Sequence, residues 1–266
     1  MTNISSSNLI ISFEGLDCCF KETNYNLFLD DIRNNNDFKD KKIFAESFPR
    51  YGKDLCKPVE KWLNGKLDRD VLNSLPLAKK SLYAIDRMDY WHNIHNENDS
   101  SDDTYYINDG IEYDFHYNGS LYDYKSNMNN LYFIFDRYTF SNTLYNPIGL
   151  YKSKITADEV LFEDNFFKVP KPDIVVWMRA TNFEFIKDQL IAKKNKDKNE
   201  LDLEYLESVW ERSENMISNY EEFFWYYGIN IIPIDINNID LTPRSKESIA
   251  REVKNSIYEL INKLSK

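Results

Sequence analysis

The chain has 266 residues, 42% of them hydrophobic, with 33 Lys and Arg against 44 Asp and Glu for a formal net charge of −11. That is enough apolar material for one α/β domain with a sizeable core. The acidic balance argues against sequence-independent nucleic-acid binding, which needs a basic face, but leaves room for a local basic nucleotide pocket. No apolar run approaches the roughly 20 residues of a membrane span. The start, Met1-Thr2-Asn3-Ile4-Ser5, lacks a basic region followed by an apolar one. Cys18, Cys19 and Cys56 have no metal-ligand spacing. A soluble cytoplasmic protein in a reducing compartment, with neither nucleic acid nor membrane as partner, is expected.

Leu9-Ile10-Ile11-Ser12-Phe13 is a β-prone run that breaks at Gly15 and reaches Lys21 at the head of a helix-compatible segment, Lys21 to Asn34. A strand, loop and helix in this order make a phosphate site. Loop N–H groups and the helix N-terminus face the anion, and the lysine meets the outer phosphates. Against GxxxxGK followed by Ser or Thr, Gly15 and Lys21 are in place, but Phe20 stands for the second glycine and Glu22 for the hydroxyl. Tyr25, Phe28, Leu29 and Ile32 then recur at helical spacing up to Asn34-Asn35-Asn36-Asp37.

A second strand, Lys42 to Phe48, runs into Pro49-Arg50-Tyr51-Gly52 and puts Arg50 beyond its carboxyl end, the edge where open α/β sheets bind ligands. Val59, Trp62 and Leu63 predict a short helix. Asp68 to Trp91 predicts a longer one, with Leu72, Leu75, Leu82 and Ile85 as apolar positions and Tyr83 and Arg87 four apart on one face. His92 to Met128 loses periodicity, and alternation on either side of Asn108-Asp109-Gly110, over Tyr105 to Ile107 and Ile111 to Tyr117, reads as a small hairpin.

Leu131 to Phe135 is continuously apolar, as in a buried parallel strand, and ends in Asp136-Arg137-Tyr138. Ile174 to Met178 repeats the pattern after Pro170-Lys171-Pro172-Asp173, which holds the chain extended. Phe183 to Lys194 predicts a helix interrupted by the basic run Lys193 to Lys198, and a long amphipathic helix follows from Leu201 to about Tyr227. The last strand is Ile229 to Ile234. Thr242-Pro243 opens a final helix with Ile249, Val253, Ile257, Leu260 and Leu264 as its stripe. Five strands alternating with helices predict a three-layer α/β fold, a five-stranded parallel sheet flanked by helices.

Charged groups gather where the strands end: Asp17 and Lys21, then Arg50, then Asp136 and Arg137. Cations and carboxylates brought together suit phosphoryl transfer, which is mostly positioning and charge neutralisation. Phe13-Glu14-Gly15-Leu16-Asp17, Phe48-Pro49-Arg50-Tyr51-Gly52, Leu82-Tyr83-Ala84-Ile85-Asp86-Arg87, Phe135-Asp136-Arg137-Tyr138-Thr139-Phe140-Ser141 and Pro170-Lys171-Pro172-Asp173-Ile174-Val175, in that order, resemble the thymidylate kinase family of P-loop nucleoside monophosphate kinases.

The resemblance implies a P-loop NTPase fold over 1–266 as a single domain, with 92–128 as an insertion and 190–200 as a lid. It implies a homodimer that moves the ATP γ-phosphoryl group to dTMP, giving dTDP, with Mg2+. By it, Gly15, Leu16, Asp17, Cys18, Cys19, Phe20, Lys21, Glu22, Thr23 and Asp235 hold ATP, and Asp136, Glu22 and Thr23 hold the metal. Arg50 grips the acceptor phosphate as a planar fork. Tyr83 lies against thymine, Arg87 at the base edge, Asp17 at the 3′-hydroxyl, and Phe48 and Ser141 along the acceptor. Tyr145 closes over the deoxyribose. Lys21, Asp136 and Arg137, with the lid lysines Lys193 and Lys196, carry the transfer, and Arg137 also contacts the acceptor.

Departures from the family pattern leave two alternatives. Phe20 is expected to make the loop bend differently or hold ATP poorly, and a lid of lysines supplies charge without the arginine fork. A thymidylate-binding protein impaired in catalysis is therefore one alternative, and a kinase for a different deoxynucleotide is the other. Cys18 and Cys19, with no histidine nearby in sequence, are expected to fill the loop rather than act as nucleophiles.

Overall fold

A computed structural model describes residues 8–68, 75–93, 105–106, 131–147, 157–193 and 202–264. The apolar runs read from the sequence become the strands β1 (Leu9–Gly15), β2 (Lys42–Ser47), β4 (Leu131–Asp136), β5 (Ile174–Arg179) and β6 (Asn230–Asp235), all parallel and in the order β2-β4-β1-β5-β6. Every residue of β1 is buried, as a strand covered on both faces must be. A sixth strand, β3 (Tyr105–Tyr106), comes from the insertion and pairs antiparallel with the outer edge of β2. It falls on the first arm of the expected hairpin; Ile107 and the second arm, 111–117, lie outside the described residues.

Helices cover both faces. On one side α1 (Lys21–Asn34) buries Tyr25, Phe28, Leu29 and Ile32 against the sheet, as its spacing predicts. Beside it packs α10 (Lys246–Leu264), whose Tyr258 hydroxyl donates to Asp31 Oδ2 at 2.5 Å. On the other side α3 (Pro76–Asn93) sets Tyr90 and Trp91 into an aromatic layer with Phe48, Phe133, Phe135 and Tyr138. Trp91 donates to the Tyr138 hydroxyl at 2.7 Å, and that hydroxyl donates to the Pro170 carbonyl at 2.8 Å. The Trp91 indole N–H and the Tyr138 hydroxyl are thus satisfied in series, without which each would cost its desolvation.

Several expected boundaries move, each for a local reason. The long helix expected from Leu201 to Tyr227 divides into α8 (Leu203–Ile217) and α9 (Tyr220–Tyr227). Ser218 and Asn219 side chains donate to the Glu214 and Asn215 carbonyls at the break, satisfying them outside a continuing ladder. The last helix starts at Lys246, not at Thr242-Pro243, because Thr242 bonds back to the Asp240 carboxylate and Asn237 bridges Pro243. Its stripe continues through Ile261, while Leu264 is exposed. Helix α7 covers Phe183–Ala192. In α3 the expected stripe is misplaced: Leu75 is exposed and Leu82 and Ile85 are half-buried, while Lys80, Ala84, Asp86 and Arg87 are buried. The short helices α2 (Lys57–Leu63), α4 (Thr139–Tyr145), α5 (Ala157–Val160) and α6 (Phe162–Phe167) complete the layer. The last three are too brief to show a period in sequence.

The register aligns strand ends. Phe13 and Ser47 both stand opposite Asp136, and Gly15 stands opposite Met178, so β1, β2 and β4 release their charged continuations at one edge. Gly15 has φ +130, and a Cβ there would meet the Met178 carbonyl oxygen at 2.3 Å. Gly15→Ala is therefore expected to cost more than about 2 kcal/mol in urea unfolding, because both the backbone angle and β5 would have to give way.

Candidate active site

The phosphate loop begins where β1 stops. Phe20 caps α1 in the left-handed conformation, φ 56 and ψ 25, the region a glycine enters without penalty and an L side chain reaches at a cost of roughly 1–2 kcal/mol. The loop thus makes a turn of the kind glycine favours at the position where glycine is missing. Cys18 is also left-handed, at φ 63. Lys21 is buried and its ammonium donates to the Leu16 carbonyl within the loop. Burial pushes that ammonium's pKa down and Arg137 adds to the fall, against Asp17, Cys19 and Asp136. Burial likewise raises the Cys19 thiol to about 12, so it is a filler of the loop and no thiolate nucleophile.

Beyond β4 the chain turns at Arg137, φ 62, whose N–H donates to the Phe13 carbonyl at 2.9 Å. Its guanidinium pairs with Asp17 Oδ1, while the Tyr145 hydroxyl donates to Asp17 Oδ2 at 3.1 Å and accepts the Asp17 N–H at 2.9 Å. Burial alone would raise the Asp17 carboxyl; the charges of Arg137 and Lys21 outweigh it and hold the group well below the usual carboxylate range. Asp136 faces the same loop, with burial raising its pKa against Arg137 and Lys21, and with Glu22 and Asp17 adding to the rise. Its Oδ1 is buried without a hydrogen-bond donor. An orphaned carboxylate oxygen at a phosphate loop fits a magnesium ion that keeps waters and phosphate oxygens as its other ligands. Glu22 is exposed and Thr23 half-buried on the first turn of α1, and among the described residues no three His, Cys, Asp or Glu side chains form a metal cage.

Asp17, Arg137, Ser141 and Tyr145 line a cavity with Phe48, Tyr83 and Arg87, so seven of the eight acceptor residues expected from the sequence meet in one place. Arg50 is the exception. Its backbone N–H and Nε donate to the two Asp86 oxygens at 2.8 and 3.0 Å, and Nη2 donates to the Asp86 carbonyl at 2.8 Å and to Asp89 Oδ2 at 2.5 Å. Nε and Nη2 are thus held by α3, so Arg50 ties the loop after β2 to that helix and does not line the cavity. Arg87 is also paired, its Nε and Nη2 donating to both Glu163 oxygens at 2.6 and 2.7 Å. Asn142 donates to Glu163 Oε1 at 2.6 Å, so α3, α4 and α6 are joined under the cavity floor.

Sequence reasoning assigned no role to several groups here. Asn142, Asn146, Tyr51, Lys79 and Tyr205 line the cavity as well, and the Lys79 ammonium stands 4.9 Å over the buried Trp62 ring. Glu163 has no signal in its aperiodic segment. Glu14 does have one, a single carboxylate within an otherwise apolar buried strand, where an unpaired charge is expensive. It is fully buried, accepting the Tyr138 N–H at 2.9 Å and the Ser141 hydroxyl. Burial raises its carboxyl to about 7, against the Ser141 hydrogen bond and the charges of Arg87, Arg137 and Lys21.

Asp235 is at the end of β6 and does not line that cavity. It pairs with Arg179 at 3.3 Å and lines a second cavity with Thr181, Asn182, Asn237 and Arg244 on the same edge of the sheet. Of the lid, Lys193 is exposed at the end of α7, and Lys196 lies outside the described residues.

The family model for deoxynucleoside kinases matches residues 125–258. Among solved structures, thymidylate kinase from Candida albicans, an enzyme of broad substrate specificity, is similar with a TM-score of 0.55 at 15% identity over 96% of this chain and 93% of that one. Thymidylate kinase from Ehrlichia chaffeensis gives 0.53 at 13% identity over 96% and 99%. At these identities the likeness is one of fold. No curated protein sequence matches the chain.

The buried Arg87–Glu163 pair leads to a stability test. Glu163→Ala leaves a guanidinium uncompensated beneath the cavity, and a loss of about 3–5 kcal/mol in denaturant unfolding is expected. Replacing both residues with apolar ones should recover much of that loss, since the pair as a whole gains little over a packed core.

Proposed function

This chain belongs to the deoxynucleoside kinase family; within that family of phosphotransferases, we propose from the residues of its cavity that it transfers the γ-phosphoryl group of ATP to dTMP. The observation that carries the reading is the convergence of Asp17, Arg137, Tyr145, Tyr83 and Arg87 on one cavity at the sheet edge, next to Lys21 and the head of α1. Asp17, ionised at neutral pH, is an acceptor for a sugar hydroxyl. The flat Tyr83 ring and the Arg87 edge suit a pyrimidine, and Tyr145 crowds the sugar beside Asp17. With Arg50 committed to α3, Arg137 is the cation left at the phosphate end of the cavity by this assignment, and the Tyr51 hydroxyl at its mouth is a second donor.

Lys21 would leave the Leu16 carbonyl for the donor's outer phosphates, and the lysines at 193 and 196 would add charge from the lid. Asp136, with Glu22 close by, is the group to hold Mg2+, which supplies charge neutralisation on the donor phosphates when bound. Transfer is direct, from donor to acceptor oxygen, and the protein's part is positioning and exclusion of water.

A specific observation favours a second reading, a thymidylate-binding protein impaired in ATP use. Phe20 holds the cap of α1 and Lys21 is spent on its own loop, so donor binding starts by breaking an existing contact. A coupled assay with ATP, Mg2+ and dTMP, run beside thymidine and deoxycytidine, separates these. Turnover of dTMP that Lys21→Ala lowers by at least about 100-fold is expected; consumption of an unphosphorylated deoxynucleoside in preference to dTMP would overturn the acceptor assignment. Under the second reading, dTMP binds without turnover and Phe20→Gly tightens ATP binding several-fold.

A further inference from the structure

Glu14 does not itself line the cavity, yet it bonds one residue that does and the neighbour of another. Its Oε1 accepts the backbone N–H of Tyr138, the residue after Arg137, and its Oε2 accepts the hydroxyl of Ser141, which lines the cavity. An ionised carboxylate can only accept. While Glu14 is ionised, the Ser141 proton is directed at it and Ser141 offers the cavity lone pairs alone. Once Glu14 is protonated its own O–H can donate to Ser141, and the serine proton becomes free to point at the ligand.

We propose that Glu14 is a positioning residue of the acceptor site: it sets whether Ser141 accepts from or donates to the bound molecule, and a single proton on Glu14 reverses that polarity. The ionised form favours a ligand presenting an N–H to Ser141, as a thymine ring does at N3, over one presenting a lone pair. The inference rests on the acceptor reading above for the identity of that ligand.

The charged groups facing Glu14 are Arg87 from α3, Arg137 from the turn after β4 and Lys21 from the head of α1. Trp177, its neighbour in register on β5, has no titratable group. The three cations favour the ionised form and burial opposes it, which leaves the change of state close to neutral pH. Because the folded group holds its proton more tightly than an unfolded glutamate, the proton is retained at pH 6 and lost by pH 8.

Calorimetric binding of dTMP at pH 6 and pH 8 tests the proposal in wild type, Glu14→Gln, Ser141→Ala and the double variant. Glutamine keeps the shape, accepts from Tyr138 N–H and donates to Ser141, so it imitates the protonated state at every pH. Expected is binding about tenfold tighter in wild type than in Glu14→Gln at pH 8 and equal binding at pH 6, with the ratio cancelling the titration of the dTMP phosphate itself. Without Ser141 the ratio should be one at both pH values. An equal ratio at both pH values in the Ser141 proteins, or a pH-dependent ratio that persists without Ser141, would overturn the proposal.

A ligand-free readout keeps it separate from the acceptor reading. The Glu14 carboxyl carbon, followed by NMR, should titrate near neutral pH in wild type and shift in Ser141→Ala. Titration in the ordinary carboxylate range would overturn the proposal whatever binds. Failure of wild type to bind dTMP at either pH would remove the acceptor reading, with the carboxyl titration still deciding the role of Glu14.

Discussion

The site depends on the parallel pairing of β1 with β4 being carried past the ends of both strands. The Arg137 N–H on the Phe13 carbonyl continues the ladder by one bond, and the Arg137 guanidinium on Asp17 closes the gap between the two loops that follow. Asp17 lies two residues beyond β1 and Arg137 one beyond β4, so the register of the strands sets the distance between two loops that would otherwise be independent. Phosphoryl transfer is sensitive to placement more than to any single functional group. A sheet edge that holds both loops rigidly is therefore the feature from which the chemistry of the cavity descends.

Buried charge is handled differently on the two sides of that edge. Arg87 with Glu163, and Arg50 with Asp86 and Asp89, are buried ion pairings held through Nε and Nη2 of each guanidinium. They add little net stability over apolar packing, and losing one partner is what costs. Their effect is to hold α3 in one orientation relative to the loop after β2 and to α6. Around the phosphate loop the balance stays incomplete: Asp136 keeps an orphaned oxygen, Lys21 turns back on a loop carbonyl, and Glu14 carries its charge under three cations. Incomplete satisfaction of this kind is expensive in a resting core and useful where a charged ligand is to complete it.

The parallel strands were legible because each is covered on both faces and so reads as an unbroken apolar run. Helix α1 and most of α10 were legible from their 3.6-residue period. The stripe of α3 was not, because its buried face carries Lys80, Asp86 and Arg87 with Tyr90 and Trp91, and a periodicity search weights the wrong residues when a core face is charged. Lys80 is fully buried against the Glu159 carbonyl at 3.0 Å, with its ammonium pKa lowered to about 8 by desolvation. The residues that meet in the cavity were legible as types at strand ends and on one helix face. The place of Arg50 outside the cavity lining was not legible, because sequence spacing brings an arginine to an edge without saying which carboxylates, Asp86 and Asp89 here, reach it first. For Phe20 the residue type did not announce that the backbone takes a left-handed turn there, which an L side chain enters only with strain.

Lys79 stands on the cavity wall and over the Trp62 ring at once. An ammonium above an indole shifts the energy and lifetime of its excited state, and an acceptor that draws or displaces the ammonium changes both. Trp62 is itself buried, so bulk solvent contributes little to its emission. The molecule thus carries its own optical probe at the mouth of the cavity, and ligand entry is coupled to it through one side chain without any label.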